Sequence, residues 1–409
     1  MNMKAAALAL WFSVSAAAAN GNIYTFNYPS DGIFPLGPLT ADSKGNLYGT
    51  TFNGGIPPRP NNSCYETRNG CGVVFKLTPK TGGGWTYSVI YEFKGLPSDG
   101  EDPTEALAID SGGNIFGTTY YGAGSGVVYE LSPGAGGTYT EQVVHTFTDD
   151  PDGNLPTGVI VDAAGNLYGT TTYGGAINQT GAVYELSPNA NGGWTETILH
   201  SFGSTGDGEY PRSELFRDAA GNLFGTTSNG GTYNSGTVFK LSPSAGGAWT
   251  ESVIYSFGAP GDGAGPDARL ISDAEGNLYG TTAGGAGYGT VFELSPSGSG
   301  YTEKIIHFFL NASSGQYPVA PVVFDSAGNL YGTTQLGGAY SYGTVFKLTP
   351  NGSGGWVESA VHVFTGNSDG ASPQFGVIVG PNGNIYGTTP YGGNAANFNG
   401  DGVVFEYKP

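Results

Sequence analysis

Cations, histidines, cysteines and long apolar runs are all scarce in this chain, and each scarcity closes off a class of function. The 409 residues carry 14 Lys+Arg against 33 Asp+Glu, a net charge of -19. A surface so poor in cations cannot neutralise a phosphate backbone, which excludes nucleic acid as a partner. Only two cysteines occur, Cys64 and Cys71, too few for a disulfide framework, and no nearby histidine makes them a zinc site. No segment shows sustained 3.6-residue periodicity beyond the N-terminus, so helix is nearly absent. Without helices there is no phosphate-binding glycine loop ahead of one, and no G-x-S-x-G nucleophile elbow between strand and helix.

Apolar runs are confined to the first residues. Lys4, an apolar stretch over residues 5–14 and Ala17-Ala18-Ala19 have the layout of a secretory signal with its cleavage site. The stretch is too short to span a bilayer, and no second one follows. The expected mature chain covers residues 20–409, has no membrane span, and is a monomer that is secreted or periplasmic. In an oxidising compartment Cys64 and Cys71 are expected to pair, stapling an insertion over residues 52–72.

What the chain has in abundance is glycine, 73 residues of it, and most fall at fixed slots of a repeat. G-N-[Leu/Ile]-[Tyr/Phe]-G-T-T starts at Gly45, Gly113, Gly165, Gly221, Gly276, Gly328 and Gly383, at spacings of 68, 52, 56, 55, 52 and 55 residues. Each unit contains four strand-like pieces rich in Val, Ile, Thr, Tyr and Phe, bounded by turn residues. Seven four-stranded units predict an all-β, seven-bladed β-propeller. The fourth-strand pieces are offset: one, at residues 23–26, precedes the first blade, and none follows residues 403–407. The N-terminal strand is therefore expected to complete the last blade and close the ring, leaving no long sheet edge.

The units D-x-x-G-N-L-Y-G-T-T, G-T-V-F-K-L-S-P and F-x4-D-G-x-x-P resemble the GloVer tandem-repeat family of exported bacterial proteins over residues 22–409. The resemblance implies a propeller-like repeat without an established activity. Members often carry a C-terminal surface anchor; residues 403–409 belong to the last blade and are not such a tail, so free export is the expectation here.

Residues that recur at one slot of every repeat are expected to serve the fold. His145, His200, His307 and His362 share a fourth-strand slot with Tyr24, Tyr91 and Tyr255, a packing position with a polar tip. Asp42, Asp110, Asp162, Asp218, Asp273 and Asp325 cap the first hairpin turn. Trp85, Trp194, Trp249 and Trp356 recur at the start of the fourth strand and read as packing. Lys76, Glu130, Glu185, Lys240, Glu293, Lys347 and Glu406 form a solvated or edge position. Asp31, Asp99, Asp152, Asp207, Asp262 and Asp369 lie in the D-G turns. Calcium is the one cofactor these turns suggest, through Asp149, Asp150 and Asp152 or through Asp99, Glu101 and Asp102, and neither set matches a known calcium loop. No cofactor is otherwise expected.

Function then falls to the loops joining fourth to first and second to third strands, which share one face of a propeller. At the channel mouth, Glu105, Arg212, Glu214, Asp267, Arg269 and Gln374 stand where other blades have small or apolar residues. Around it lie loop aromatics, Tyr121, Tyr173 and Tyr391 among them. Arg212, Arg269, Gln374 and these tyrosines are the candidate ligand-binding residues for a glycan or protein. The alternative is a polysaccharide hydrolase or lyase whose catalytic carboxylates are Glu105, Glu214 and Asp267. A passive structural module of the envelope is the third reading.

Overall fold

The computed structural model describes residues 20–55, 64, 70–298, 300–395 and 399–409. The expected signal segment, 1–19, lies outside these, as do Arg59, Asn61, Asn62, Tyr65, Glu66 and Arg68 of the insertion. Among the described residues no helix is long and apolar enough to cross a membrane.

Seven antiparallel blades of four main strands form the molecule, with inner strands that range from two residues, as at Thr40–Ala41, to ten, at Gly100–Ile109. Blade 3 is a complete example: Asn154–Val161, Leu167–Tyr173, Ala182–Pro188 and Trp194–Ser201 pair in that order. Inner strands are irregular where they line the channel. Blade 4 splits its own into Gly208–Pro211 and Phe216–Arg217, and register shifts interrupt those of blades 2 and 3. In the last blade Gly21–Thr25 pairs with Val403–Tyr407, from Gly21 opposite Glu406 to Thr25 opposite Val403. The ring is closed by its two ends, as the offset of the repeat predicts.

The repeat motif is legible atom by atom. Asp42 turns the first hairpin: its Oδ1 accepts the Lys44 and Asn46 amides at 2.8 and 2.9 Å, and its Oδ2 accepts Asn46 Nδ2 and the Tyr48 hydroxyl. The glycine of G-T-T makes room for the ring of the third strand. A Cβ on Gly49 would lie 2.6 Å from Phe75 Cζ, and one on Gly225 would lie 2.5 Å from Phe239 Cζ. Apolar residues collect in seven clusters, each shared by two adjacent blades; Phe26, Tyr386 and Val404 meet Leu39, Leu47 and Phe75 across the closure. The tryptophans pack edge-on against the neighbouring blade's second strand, Trp194 on Phe116 and Trp249 on Tyr168.

Each fourth strand carries a bulge just before the Tyr/His slot, between the partners of Val74 and Phe75 in blade 1. The extra residue breaks the strict in–out alternation, so consecutive Ile90 and Tyr91 both face the cluster shared with blade 2. The slot of Lys76 and Glu406 departs from the solvated position expected of it. Lys76 lies over the Tyr48 ring at 5.3 Å, and Glu406 is buried, accepting Asn384 Nδ2 at 2.6 Å and the Tyr386 hydroxyl at 2.7 Å. The reason is local: Gly380 replaces the turn aspartate in blade 7, and Glu406 supplies the missing carboxylate.

A further contact recurs at all seven junctions. The residue before the proline of D-G-x-x-P is left-handed in every blade, from Leu155 (φ 51°) to Gly265 (φ 63°). Its amide donates to a carbonyl of the preceding blade: Phe34 to Asp401, Asp102 to Cys71, Leu155 to Ser125, Tyr210 to Thr180, Gly265 to Ser235, Tyr317 to Tyr288 and Ser372 to Tyr342, at 2.8–3.1 Å. The glycine after each acceptor sits against the proline; a Cβ on Gly181 would lie 2.5 Å from Pro211 Cδ. The Cys64–Cys71 disulfide, as expected from the sequence, joins this structure, with both cysteines buried between blades 1 and 2. Gly181→Ala adds both that clash and a strained φ of 100°. It should lower stability to urea unfolding by about 1–3 kcal/mol, whereas Gly192→Ala, open to solvent at a similar φ, should cost less.

Candidate functional site

Because strands alternate in direction, the D-G-x-x-P loops and the segments after G-T-T emerge together. The register shows it directly, with Asn154 opposite Tyr173 and Glu101 opposite Tyr121. At the centre of this face the channel narrows to a cavity of about 90 Å3 lined by Glu105, Arg212, Glu214, Asp267, Arg269 and Gln374 together with Pro38 and Phe375. All six charged or amide residues expected at the channel mouth therefore converge.

Their contacts run partly to one another and partly to the surrounding blades. Glu214, buried on blade 4, reaches past blade 3 to accept the Ala106 amide of blade 2 at 2.8 Å. It passes through the space left by Gly158, where a Cβ would lie 2.6 Å from its Cγ. Arg269 Nε lies 3.7 Å from its other oxygen. Gln374 accepts Gln335 Nε2 at 2.7 Å. Glu105 has a left-handed backbone (φ 62°), and burial of its carboxyl, reinforced by the Glu214 charge, pushes its pKa up to about 8. Burial also raises Asp267, against the pull of Arg212.

The aromatic residues encircle this plug. Tyr121, Tyr173, Tyr233 and Tyr340 are exposed, Tyr340 by 58%, while Tyr391 is half-buried. Several pair across blade junctions: Tyr173 with Tyr210 at 5.5 Å, Tyr288 with Tyr317 at 6.4 Å, Phe34 with Tyr391 at 5.6 Å and Phe52 with Tyr120 at 6.4 Å. Phe34, Tyr210 and Tyr317 escaped sequence reasoning. They stand at the residue before proline, and the recurrence of that slot was the available signal.

The aspartates suggested for calcium have protein partners. Asp99 accepts the Gly100 and Lys94 amides and the Tyr91 hydroxyl at 2.7–2.8 Å, Glu101 accepts the Leu96 amide, and Asp102 accepts Asn53 Nδ2. Asp149 accepts Ser125 Oγ and Asn154 Nδ2, and Asp150 accepts Gln179 Nε2. The Tyr/His slot pairs with the D-G aspartate: His200 and His362 lie 2.9 and 3.0 Å from Asp207 and Asp369. A third member went unread in the sequence. Glu141, Glu196, Glu251 and Glu303, two residues after each fourth-strand Trp or Tyr, bring a second carboxyl to the aspartate from the next blade. Burial, with the Asp charge, raises each to about 7.

Fold and site together define a closed propeller with a charge-plugged channel and an aromatic-rimmed loop face. The chain belongs to the Gloeobacter/Verrucomicrobia repeat family, whose pattern matches residues 61–287 and 247–409. No curated protein matches the sequence. Among solved structures it is similar to the extracellular domain of a putative one-component system from B. thetaiotaomicron, at 12% identity and TM-score 0.57. That alignment covers 95% of this chain and 40% of the other, so the chain spans less than half of that protein. It is also similar to a putative 6-phosphogluconolactonase from Bacteroides uniformis, at 13% identity and TM-score 0.52, over 86% and 88% of the two chains. Likeness at these identities carries the fold alone.

Glu105 gives the plug a pH signature. Its folded-state pKa of about 8 exceeds the ordinary 4.5, so its contribution to stability is complete below about pH 4.5 and is lost as pH rises through 8. Glu105→Gln should therefore melt a few degrees above the unmodified protein at pH 9 and close to it at pH 5, read by differential scanning calorimetry.

Proposed function

We propose that this protein acts outside the cytoplasm as a monomeric, non-enzymatic binding module, and that its ligand is a glycan held on the loop face. The observation that carries this reading is the rim of exposed and junction-paired tyrosines around a plugged channel. Tyrosine rings offer large, rigid contact area with a polar tip, suited to the faces and hydroxyls of sugars. A cavity of about 90 Å3 has room for about three waters, far less than the about 300–1,000 Å3 of sites that enclose a drug-sized ligand. A glycan would therefore lie across the rim and touch the plug from above, where Arg212 is exposed. The disulfide, the signal-like first 19 residues and the extracellular structural neighbour support the location. The reading needs no cofactor.

The test is a glycan array with the secreted protein, followed by titration of any sugar retained. Tyr173→Ala should weaken binding about tenfold without changing the melting temperature. Retention that ignores both Tyr173→Ala and Tyr233→Ala would sink the reading, and an empty array would move it to a protein ligand or to a purely structural role.

Glu105 favours a second reading, a polysaccharide hydrolase or lyase. A carboxyl kept protonated near neutral pH beside the Glu214 carboxylate resembles an acid and its partner in glycosidic cleavage. That reading requires chain scission of an extracellular polysaccharide, abolished by both Glu105→Gln and Glu214→Gln; intact polysaccharide after incubation rejects it.

A further inference from the structure

The Tyr/His–Asp pairing of the D-G turns is closed by a direct hydrogen bond in five blades, through Tyr24, Tyr91, His200, Tyr255 and His362, at 2.6–3.0 Å. At the junction of blades 2 and 3 it is open. His145 Nε2 stands 3.6 Å from Asp152 Oδ2 and 3.5 Å from Glu196 Oε1, beyond hydrogen-bonding reach of both. The Nε2 and Oε1 atoms are buried and have no hydrogen-bond partner. Leaving such atoms unsatisfied is costly; five other blades satisfy the Tyr/His tip, whereas the Oε1 atoms of Glu141, Glu251 and Glu303 are unpartnered like that of Glu196.

The separations match a different purpose. Zinc holds imidazole nitrogen at about 2.0–2.1 Å and carboxylate oxygen at about 2.0–2.2 Å, so tetrahedral donors lie roughly 3.3–3.5 Å apart. The donor atoms of His145, Asp152 and Glu196 all fall within 4.8 Å of one another. One nitrogen and two oxygens suit a divalent transition ion such as zinc better than calcium, which takes six to eight oxygens. Thr148 donates its amide to Asp152 at 3.1 Å, an outer partner that orients the carboxylate. The side chains remain partly accessible, His145 by 20% and Glu196 by 19%, although the Nε2 and Oε1 donor atoms themselves are covered.

We propose that His145, Asp152 and Glu196 form a divalent transition-metal site that ties blade 2 to blade 3. His145 and Asp152 come from the end of one blade and the loop leaving it, and Glu196 from the outer strand of the next. The ion would therefore staple a blade junction, independently of whatever the loop face binds. His200, Asp207 and Glu251 form the same constellation one blade on, but there the histidine is already hydrogen-bonded to its aspartate.

The test uses tag-free protein stripped with EDTA and titrated with Zn2+ by calorimetry, with Co2+ absorption reporting nitrogen and oxygen ligation. Expected is one zinc equivalent with a raised melting temperature. His145→Tyr, which installs the residue that blades 1 and 4 carry in this slot, should weaken that equivalent more than about 100-fold. Glu196→Gln should do the same, and His200→Tyr should leave it unchanged. Absence of zinc binding, binding that survives His145→Tyr, binding that follows His200 instead, or an equal Ca2+ effect in His145→Tyr would each overturn the proposal. Should His145→Tyr fail to fold, Glu196→Gln decides alone.

Discussion

Everything in this molecule depends on how one blade grips the next. A four-stranded sheet cannot bury both its faces alone, so each blade is stable only against its neighbours. Apolar clusters supply the bulk of that association, and burial is non-directional. Direction comes from the junction at the loop face, where a left-handed residue donates to the previous blade and its proline lies on a bare glycine. Leu155 and Tyr210 are bulky L-residues in a region such residues avoid, and a following proline does not relieve the cost. The cost is offset because the same turn satisfies an amide, presents the aspartate to the Tyr/His slot and seats the proline. The repeated grip sets the angle between blades, and the angle sets their number.

The consequence for the loop face is a division between a sealed centre and an open border. Seven inner strands converge so closely that the few long side chains there must share space. Glu214 fills the gap above Gly158 and is held from two other blades, by the Ala106 amide and by Arg269. A network of this kind is rigid because its members come from four parts of the ring. The border is built differently, from turns that carry exposed tyrosines such as Tyr121, Tyr173, Tyr233 and Tyr340. Variation among blades is concentrated there, where it disturbs neither the grip nor the plug.

Much of this was legible in the sequence because the repeat compares each residue with six others. Asp42 and its equivalents announced a turn cap, and the offset of residues 23–26 announced closure. The converging charges at the channel mouth were also readable, since they break a small-residue slot. Three things were not. The left-handed residue before proline is dictated by a hydrogen bond to another blade, and no local propensity of Phe34 or Leu155 reports it. Glu141 and Glu196 lie on outer strands with an alternating pattern that reads as half solvent-facing, yet the half-buried side faces the adjacent blade. Glu406 shares a slot with residues lying over aromatic rings, but the loss of an aspartate at Gly380 turns it inward. In each case the deciding partner is distant along the chain.

Closure by the two ends also constrains the order in which the molecule can be made. Gly21–Thr25 and its partner Val403–Tyr407 are separated by nearly the whole propeller sequence. The intervening blades can stack one on another as they form, but the first strand has no partner until the last blade is in place. Such an unprotected edge is prone to pairing with the wrong chain. Pairing of the first strand with the last spans the greatest sequence separation in the ring, and contacts of that kind carry the largest loop-closure cost.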